Sequence, residues 1–284
     1  PARINIIGEH IDYNGGKVFP AAIDRLLYVT IRKRDDSRIT YRDLKFPGIY
    51  SFDIRDEFAY KKENGYANYL NGIVTILKRR GCVFSGGFDA LIGSDIPPAG
   101  GISSSSALEC AFAYALSEVF GFGISRKDIA LIGQQSEHEF MNVNCGIMDQ
   151  FIIATAKKNT AELLDCATLD FEYVPLALDD CRFVVMNTQK KRQLADSKYN
   201  ERRAECARAL TILQEAKIPL HTAGKYTNTE DIPDLCALTP KQLDECKSIF
   251  TDETIFRRAR HCVTENARVA KAAAALKEGN LSAL

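Results

Sequence analysis

Apolar positions at strand and helix spacing alternate along roughly the first two thirds of the chain; beyond about Asp196 helical spacing dominates. Arg3 to Ile7 predicts a short strand that Gly8 breaks, and Leu26 to Arg32, Ile39 to Tyr41 and Tyr50 to Ile54 predict three more. Tyr66, Tyr69, Leu70, Ile73, Val74 and Leu77 recur at helical spacing up to Gly81. A strand over Gly87 to Ile92 leads through Pro97-Pro98-Ala99-Gly100-Gly101-Ile102 into four serines. There a helix begins, with Leu108, Ala111, Phe112, Ala115, Leu116 and Val119 on one face. Ser125 to Asp128 has the spacing of a capping box for the next helix, which carries Ile129, Ile132, Glu137 and His138. Ala161 to Cys166, Asp170 to Val174 and Arg182 to Asn187 predict strands, and 197–216, 239–249 and 252–278 predict helices. The change of pattern places a domain boundary near 190–200, giving domains 1–195 and 196–284.

Two polar stretches interrupt this pattern. After Gly8, Glu9, His10, Asp12, Tyr13 and Asn14 follow one another closely, with Arg3 and Asn5 just before them. Two carboxylates, an imidazole and an amide beside an arginine supply the donors and acceptors that a polyhydroxylated ligand needs. An ordinary hairpin turn at Asn14-Gly15-Gly16 is the alternative. The second stretch is the glycine and serine run at 100–106 between strand and helix. Glycines let the backbone approach a ligand, and the helix start offers free N–H groups and a positive dipole end, which suits phosphate. A single N-cap needs one serine, not four. Neither GxxxxGK[ST] nor GxGxxG is present. Glu137 on its helix and Asp149 after a glycine break are carboxylates with a bland alternative each, a solvated face and an N-cap.

Composition narrows the class. Lys+Arg and Asp+Glu both count 37, so the formal net charge is zero, and no long basic run points to nucleic acid. The nine cysteines are odd in number and none has CxxC spacing, which fits scattered reduced thiols in a cytoplasmic protein. No apolar run reaches membrane-spanning length.

Together the motifs resemble a known pattern. Arg3-Ile4-Asn5-Ile6-Ile7-Gly8-Glu9-His10-Ile11-Asp12-Tyr13-Asn14 resembles the galactokinase signature, and Pro97 to Ala107 resembles the phosphate loop of the wider GHMP small-molecule kinases. Cys145 to Phe151 is similar to the galactokinase catalytic segment, and Ser197 to Cys206 to the segment that follows it. The resemblance implies an α+β fold of two domains, a ribosomal-protein-like mixed α/β domain followed by an incomplete ferredoxin-like α+β domain. It implies ATP-dependent phosphorylation of galactose at the C1 hydroxyl by a monomeric, cytoplasmic enzyme that uses Mg²⁺ and binds neither nucleic acid nor membrane. Arg3 and Asp149 would be catalytic. Glu9, His10, Asp12, Gly146, Asp149 and Tyr199 would hold the sugar. Pro97, Gly100, Gly101, Ser103, Ser104, Ser105 and Lys191 would hold ATP, and Ser105 with Glu137 the Mg²⁺. Whether Asp149 takes the hydroxyl proton or mainly orients it stays open.

The chain departs from the pattern at Ala2, where the family has Gly, at Ala99 and Ser106 in the phosphate loop, and at Ile11, where galactokinases often have Thr. Isoleucine at position 11 also occurs in relatives acting on N-acetylgalactosamine, so an N-acetylgalactosamine kinase is an alternative. So is a non-catalytic galactose and ATP sensor. The family's glycine-rich C-terminal motif is absent, so the chain resembles a galactokinase cut at both ends, and residues 1–284 alone are expected to turn over slowly.

Overall fold

The computed structural model describes residues 1–97, 100–178, 180–187 and 198–284. In chain order the strands and helices are β1 (Ala2–Asn5), β2 (Lys17–Val18), β3 (Pro20–Ile23), β4 (Leu27–Lys33), β5 (Arg38–Asp43), β6 (Ile49–Asp53), α1 (Ala67–Arg79), β7 (Phe88–Ser94), α2 (Ser104–Phe120), α3 (Arg126–Glu139), α4 (Met148–Thr155), β8 (Thr160–Asp165), β9 (Phe171–Pro175), α5 (Lys198–Ala216), α6 (Pro240–Glu245) and α7 (Glu253–Lys277). One sheet runs β4-β7-β5-β6; the other runs β1-β3-β8-β2, with β9 also on β8. The described chain divides into two compact units whose segments interleave. The first holds Pro1–Ile4, Ala22–Ala156 and a short segment from Met186. The second holds Asn5–Ala21, Lys157–Val185 and the C-terminal stretch that includes Lys198–Leu284.

In the first unit β7 pairs antiparallel with β4 and parallel with β5, placing Ile39 opposite Phe88 and Tyr41 opposite Ala90. Alternation decides which face is covered. Ile39, Tyr41, Phe88, Ala90 and Ile92 point into a core with Leu70, Ile73, Leu77, Phe112 and Leu116 from α1 and α2. Tyr41 meets Phe112 edge to face at 5.8 Å. The opposite face carries Arg32 and Arg34, both bonded to Asp89. Ser125 is the N-cap of α3: its hydroxyl accepts from the Asp128 N–H and bonds to Asp128 Oδ2, half of the expected capping box. The apolar run Phe151-Ile152-Ile153 lies in α4 and is buried.

In the second unit β8 pairs antiparallel with β2 and β9. α5 and α7 bury Cys206, Ala209 and Leu213 and Ala259, Cys262 and Val263. Backbone bonds from Ile6 N–H to the Phe19 carbonyl and from Phe19 N–H to the Ile7 carbonyl carry the chain up to Gly8. Gly15 then sits at φ +67°, and a methyl there would overlap the Asp234 carboxylate. Gly15→Ala is therefore expected to cost about 1–3 kcal/mol in urea unfolding, from left-handed strain plus displacement of Asp234.

Two expected elements differ. Arg182–Asn187 forms no strand; Phe183, Val184, Val185 and Met186 are exposed and pair with no strand among the described residues. β-branched composition favours a strand only where a neighbour completes the ladder. The helix expected over 239–249 ends at Glu245, and a tighter turn follows over Lys247–Ile249. All nine cysteines are free thiols, as expected.

Candidate functional site

In the first unit the strand residue Arg3 and the α4 residue Asp149, 146 positions apart, form a two-pronged ion pair. Arg3 Nε donates to Asp149 Oδ1 at 2.7 Å and Nη2 to Oδ2 at 2.9 Å. The third donor, Nη1, reaches the Gly101 carbonyl at 3.1 Å. Such a fork fixes the orientation of both groups as well as their charge. Asp149 lies in the first turn of α4 with its side chain 30 % exposed, so the pair faces an open side.

The glycine–serine run follows β7 and leads into α2. Gly101 and Ser103 both take positive φ, +72° and +63°, and Ser103 occupies the N-cap position of α2. Its hydroxyl makes no capping bond; it donates to Asp149 Oδ2 instead. The N-cap alternative for this serine therefore fails: left-handed backbone turns the side chain away from the helix end and onto the carboxylate. The N–H groups at the start of α2 donate no bond to the Ser103 side chain. Gly100 is partly buried, and Pro97 and Gly101 are exposed.

Ser104 and Ser105 open α2 and are partly buried. The Ser105 hydroxyl bonds to Glu137, which α3 carries at 4 % exposure. Burial, and next the negative charge of Asp149, push the Glu137 carboxyl up to about 7. Its Oε2 is buried and has no hydrogen-bond partner among the described residues. A buried carboxylate oxygen without a donor, beside a hydroxyl, is a hard-oxygen pair suited to a divalent cation that takes its other ligands from phosphate and water. Behind Glu137 lies Glu109 of α2, fully buried, whose carboxyl is raised well above the usual range, first by burial and then by Glu137. Gly146 is buried in the turn before α4, and the neighbouring Cys145 carbonyl is held by His138 Nε2 at 2.7 Å.

In the second unit the loop after Gly8 is held by α7. The N–H groups of Gly8 and Glu9 both donate to Glu265 Oε1, at 2.9 and 3.1 Å, and His261 Nε2 lies 2.7 Å from the Glu9 carbonyl. Asn5 donates to Glu9 Oε1, and Asn14 to the His10 carbonyl. Asp12 Oδ1 accepts from the Tyr13 N–H. His10 sits at φ +63°, with Nδ1 2.8 Å from the Tyr13 hydroxyl and its ring 5.5 Å from Tyr199. Glu9, His10, Tyr13, Arg202, Cys206, Arg258, His261 and Cys262 line a cavity of about 430 Å³. Ile11 is fully buried, so its side chain is core and presents nothing to a ligand.

Burial, then the positive charges of Arg202, His261 and Arg258, lower the His10 pKa to about 4. An unfolded histidine titrates near 6.5, so between those values the unfolded chain binds more protons, and folding stability falls as pH drops from about 6.5 to about 4. His10→Gln is expected to flatten that part of the stability–pH curve, read by urea unfolding at pH 7, 6, 5 and 4.

Within the first unit the structure brings together Arg3, Gly101, Ser103 and Asp149, and Ser105 with Glu137. Within the second it brings together Glu9, His10 and Tyr199. Lys191 lies outside the described residues. Glu109, His261, Glu265 and Arg202 were not singled out by sequence reasoning. Glu265 and His261 act from more than 250 positions away, and no local spacing marks such a partner. For Glu109 a signal existed, a carboxylate on the apolar face of a core helix.

Residues 1–33 match the galactokinase galactose-binding signature, and residues 68–157 the N-terminal domain of GHMP kinases. A galactokinase of Clostridium perfringens strain SM101 is 44% identical over 283 residues, covering 99% of this chain and 70% of that protein. The crystal structure of Lactococcus lactis galactokinase complexed with galactose superposes with a TM-score of 0.91 at 40% identity, over 99% of this chain and 69% of that one. The mevalonate kinase of Methanococcus jannaschii shares only the fold, with a TM-score of 0.57 at 17% identity.

Proposed function

Since this chain belongs to the galactokinase family, we propose that it phosphorylates D-galactose on the C1 hydroxyl with Mg·ATP as donor. The observation that carries the chemistry is the Arg3–Asp149–Ser103 cluster at the start of α2. Phosphoryl transfer asks a protein mainly to position the reactants and neutralise charge on the moving oxygens. Asp149 can orient the C1 hydroxyl and accept its proton, while Arg3 fixes the carboxylate and adds positive charge. The turn at Pro97, Gly100 and Gly101, with Ser103, Ser104 and the N-terminus of α2, supports binding of the ATP phosphates. Lys191 is assigned there by resemblance alone. Ser105 and Glu137 would hold Mg²⁺, whose chemistry is to draw charge from the phosphate oxygens.

By resemblance to the family, we assign Glu9, His10, Asp12, Gly146, Asp149 and Tyr199 to the sugar. Carboxylates, an imidazole and a phenol match a ring of hydroxyl donors and acceptors. The same reading carries a cytoplasmic monomer, which light scattering on the purified protein checks. Glu9→Gln and Asp12→Asn are expected to weaken galactose binding roughly 10-fold or more, each removing a charge-assisted hydrogen bond. Calorimetry with galactose in the absence of nucleotide measures it. Unchanged affinity in both variants would remove these residues from the sugar site. Similarity to galactokinases favours galactose over N-acetylgalactosamine, and the retained serines and Asp149 weigh against a non-catalytic sensor.

A further inference from the structure

Cys206 of α5 and Cys262 of α7 stand 56 positions apart in sequence, yet their sulfurs are 3.8 Å apart, both in the wall of the 430 Å³ cavity. No described residue separates the two sulfurs, which already touch as a hydrogen-bonded thiol pair. The Cys262 sulfur also lies 4.0 Å from the His10 carbonyl. We propose that Cys206 and Cys262 form a dithiol modification site, oxidised by small hydroperoxides to an intramolecular disulfide that joins α5 to α7. Closing the bond needs the sulfurs to approach from 3.8 Å to about 2.05 Å.

The two thiols are unequal. The hydrogen bond shared with Cys262, then that with Asn14 and the Arg258 charge, hold the Cys206 thiol below its ordinary value, against burial. The bond to Cys206 and burial push the Cys262 thiol well above. The thiolate is the nucleophile in such chemistry, and the Asn14 side chain and the Arg258 charge act on Cys206, so Cys206 attacks and Cys262 resolves. Cys206 sulfur attacks one peroxide oxygen; the S–O bond forms, the O–O bond breaks, and the leaving oxygen departs as hydroxide and is protonated to water or, with an alkyl hydroperoxide, an alcohol. Cys262 sulfur then attacks the sulfenic sulfur; the S–S bond forms, the S–O bond breaks, and the hydroxide leaves as water with the Cys262 proton. Two thiols give up two electrons, and the peroxide takes both.

The cavity wall that would be cross-linked carries Glu9 and His10, so on the proposed function the disulfide is expected to weaken galactose binding several-fold. The test treats the whole protein with hydrogen peroxide and maps it by non-reducing peptide mass spectrometry, alongside galactose calorimetry before and after. The expected result is a peptide pair joining Cys206 to Cys262, lost in Cys206→Ser and in Cys262→Ser. Galactose affinity falls in the treated wild type, is restored by dithiothreitol, and holds in treated Cys206→Ser. If both thiols remain alkylatable after peroxide has oxidised the exposed Cys181, the modification site is refuted. A cross-link with unchanged galactose affinity refutes the coupling to the sugar loop. An untreated protein that binds no galactose refutes the proposed function and leaves the cross-link result standing.

Discussion

Asp149→Asn is expected to lower kcat for galactose phosphorylation roughly 100- to 10,000-fold, the range over which a positioned proton acceptor contributes. Asparagine keeps the size of the side chain and one acceptor for the Ser103 hydroxyl while removing the charge. It also breaks the two-pronged bond with Arg3, leaving that guanidinium its bond to the Gly101 carbonyl. The Arg3 side chain is only 15 % exposed, so leaving the cation unpaired is expected to destabilise the fold by about 3 kcal/mol, read by urea unfolding. Steady-state kinetics with calorimetry separates the outcomes: kcat collapses while galactose still binds. A variant that kept the wild-type rate would take Asp149 out of the chemistry. Asp149→Glu is a companion, because it restores the charge but moves it by one methylene, and a matching loss would show that position matters as much as charge.

Glu137→Gln is expected to act in opposite directions on function and stability. The carboxyl is raised to about 7 by burial and by Asp149. An acid whose folded pKa lies above its unfolded value of about 4.3 costs nothing at low pH, loses stability as pH rises through that window, and carries the full penalty above 7. Glutamine has no charge to bury, so at pH 8 the ligand-free variant is expected to unfold at higher urea by on the order of 2 kcal/mol. The same substitution removes the anionic oxygen assigned to Mg²⁺, and the Mg²⁺ concentration for half-maximal rate should rise 10- to 100-fold. A variant neither more stable at pH 8 nor more demanding of Mg²⁺ would leave Glu137 a mere buried polar residue.

Much of this was readable in the sequence because the signals are local. The strand, glycine break and polar run at Arg3 to Gly16 and the turn from β7 into α2 are each fixed by residues within a few positions of one another. That Arg3 and Asp149 are both catalytic followed from family resemblance, not from spacing. What the sequence hid was tertiary. The serine at 103 looks like a cap, but its left-handed backbone sends the hydroxyl to Asp149. The loop carrying Glu9 and His10 takes its shape from Glu265 and His261 on α7. Val184 and Val185 have strand propensity but no described partner, so propensity alone misplaced a strand at 182–187. Nine cysteines looked scattered because the approach of Cys206 to Cys262 depends on how α5 packs on α7.

The most direct test of the central claim is a sugar panel with Mg·ATP on the whole protein, with the product's phosphorus position read by NMR. The account predicts galactose 1-phosphate as the main product, formed faster than any N-acetylgalactosamine product and nearly abolished in Asp149→Asn. Faster turnover of N-acetylgalactosamine, a phosphate on another hydroxyl, or full activity in the variant would contradict it.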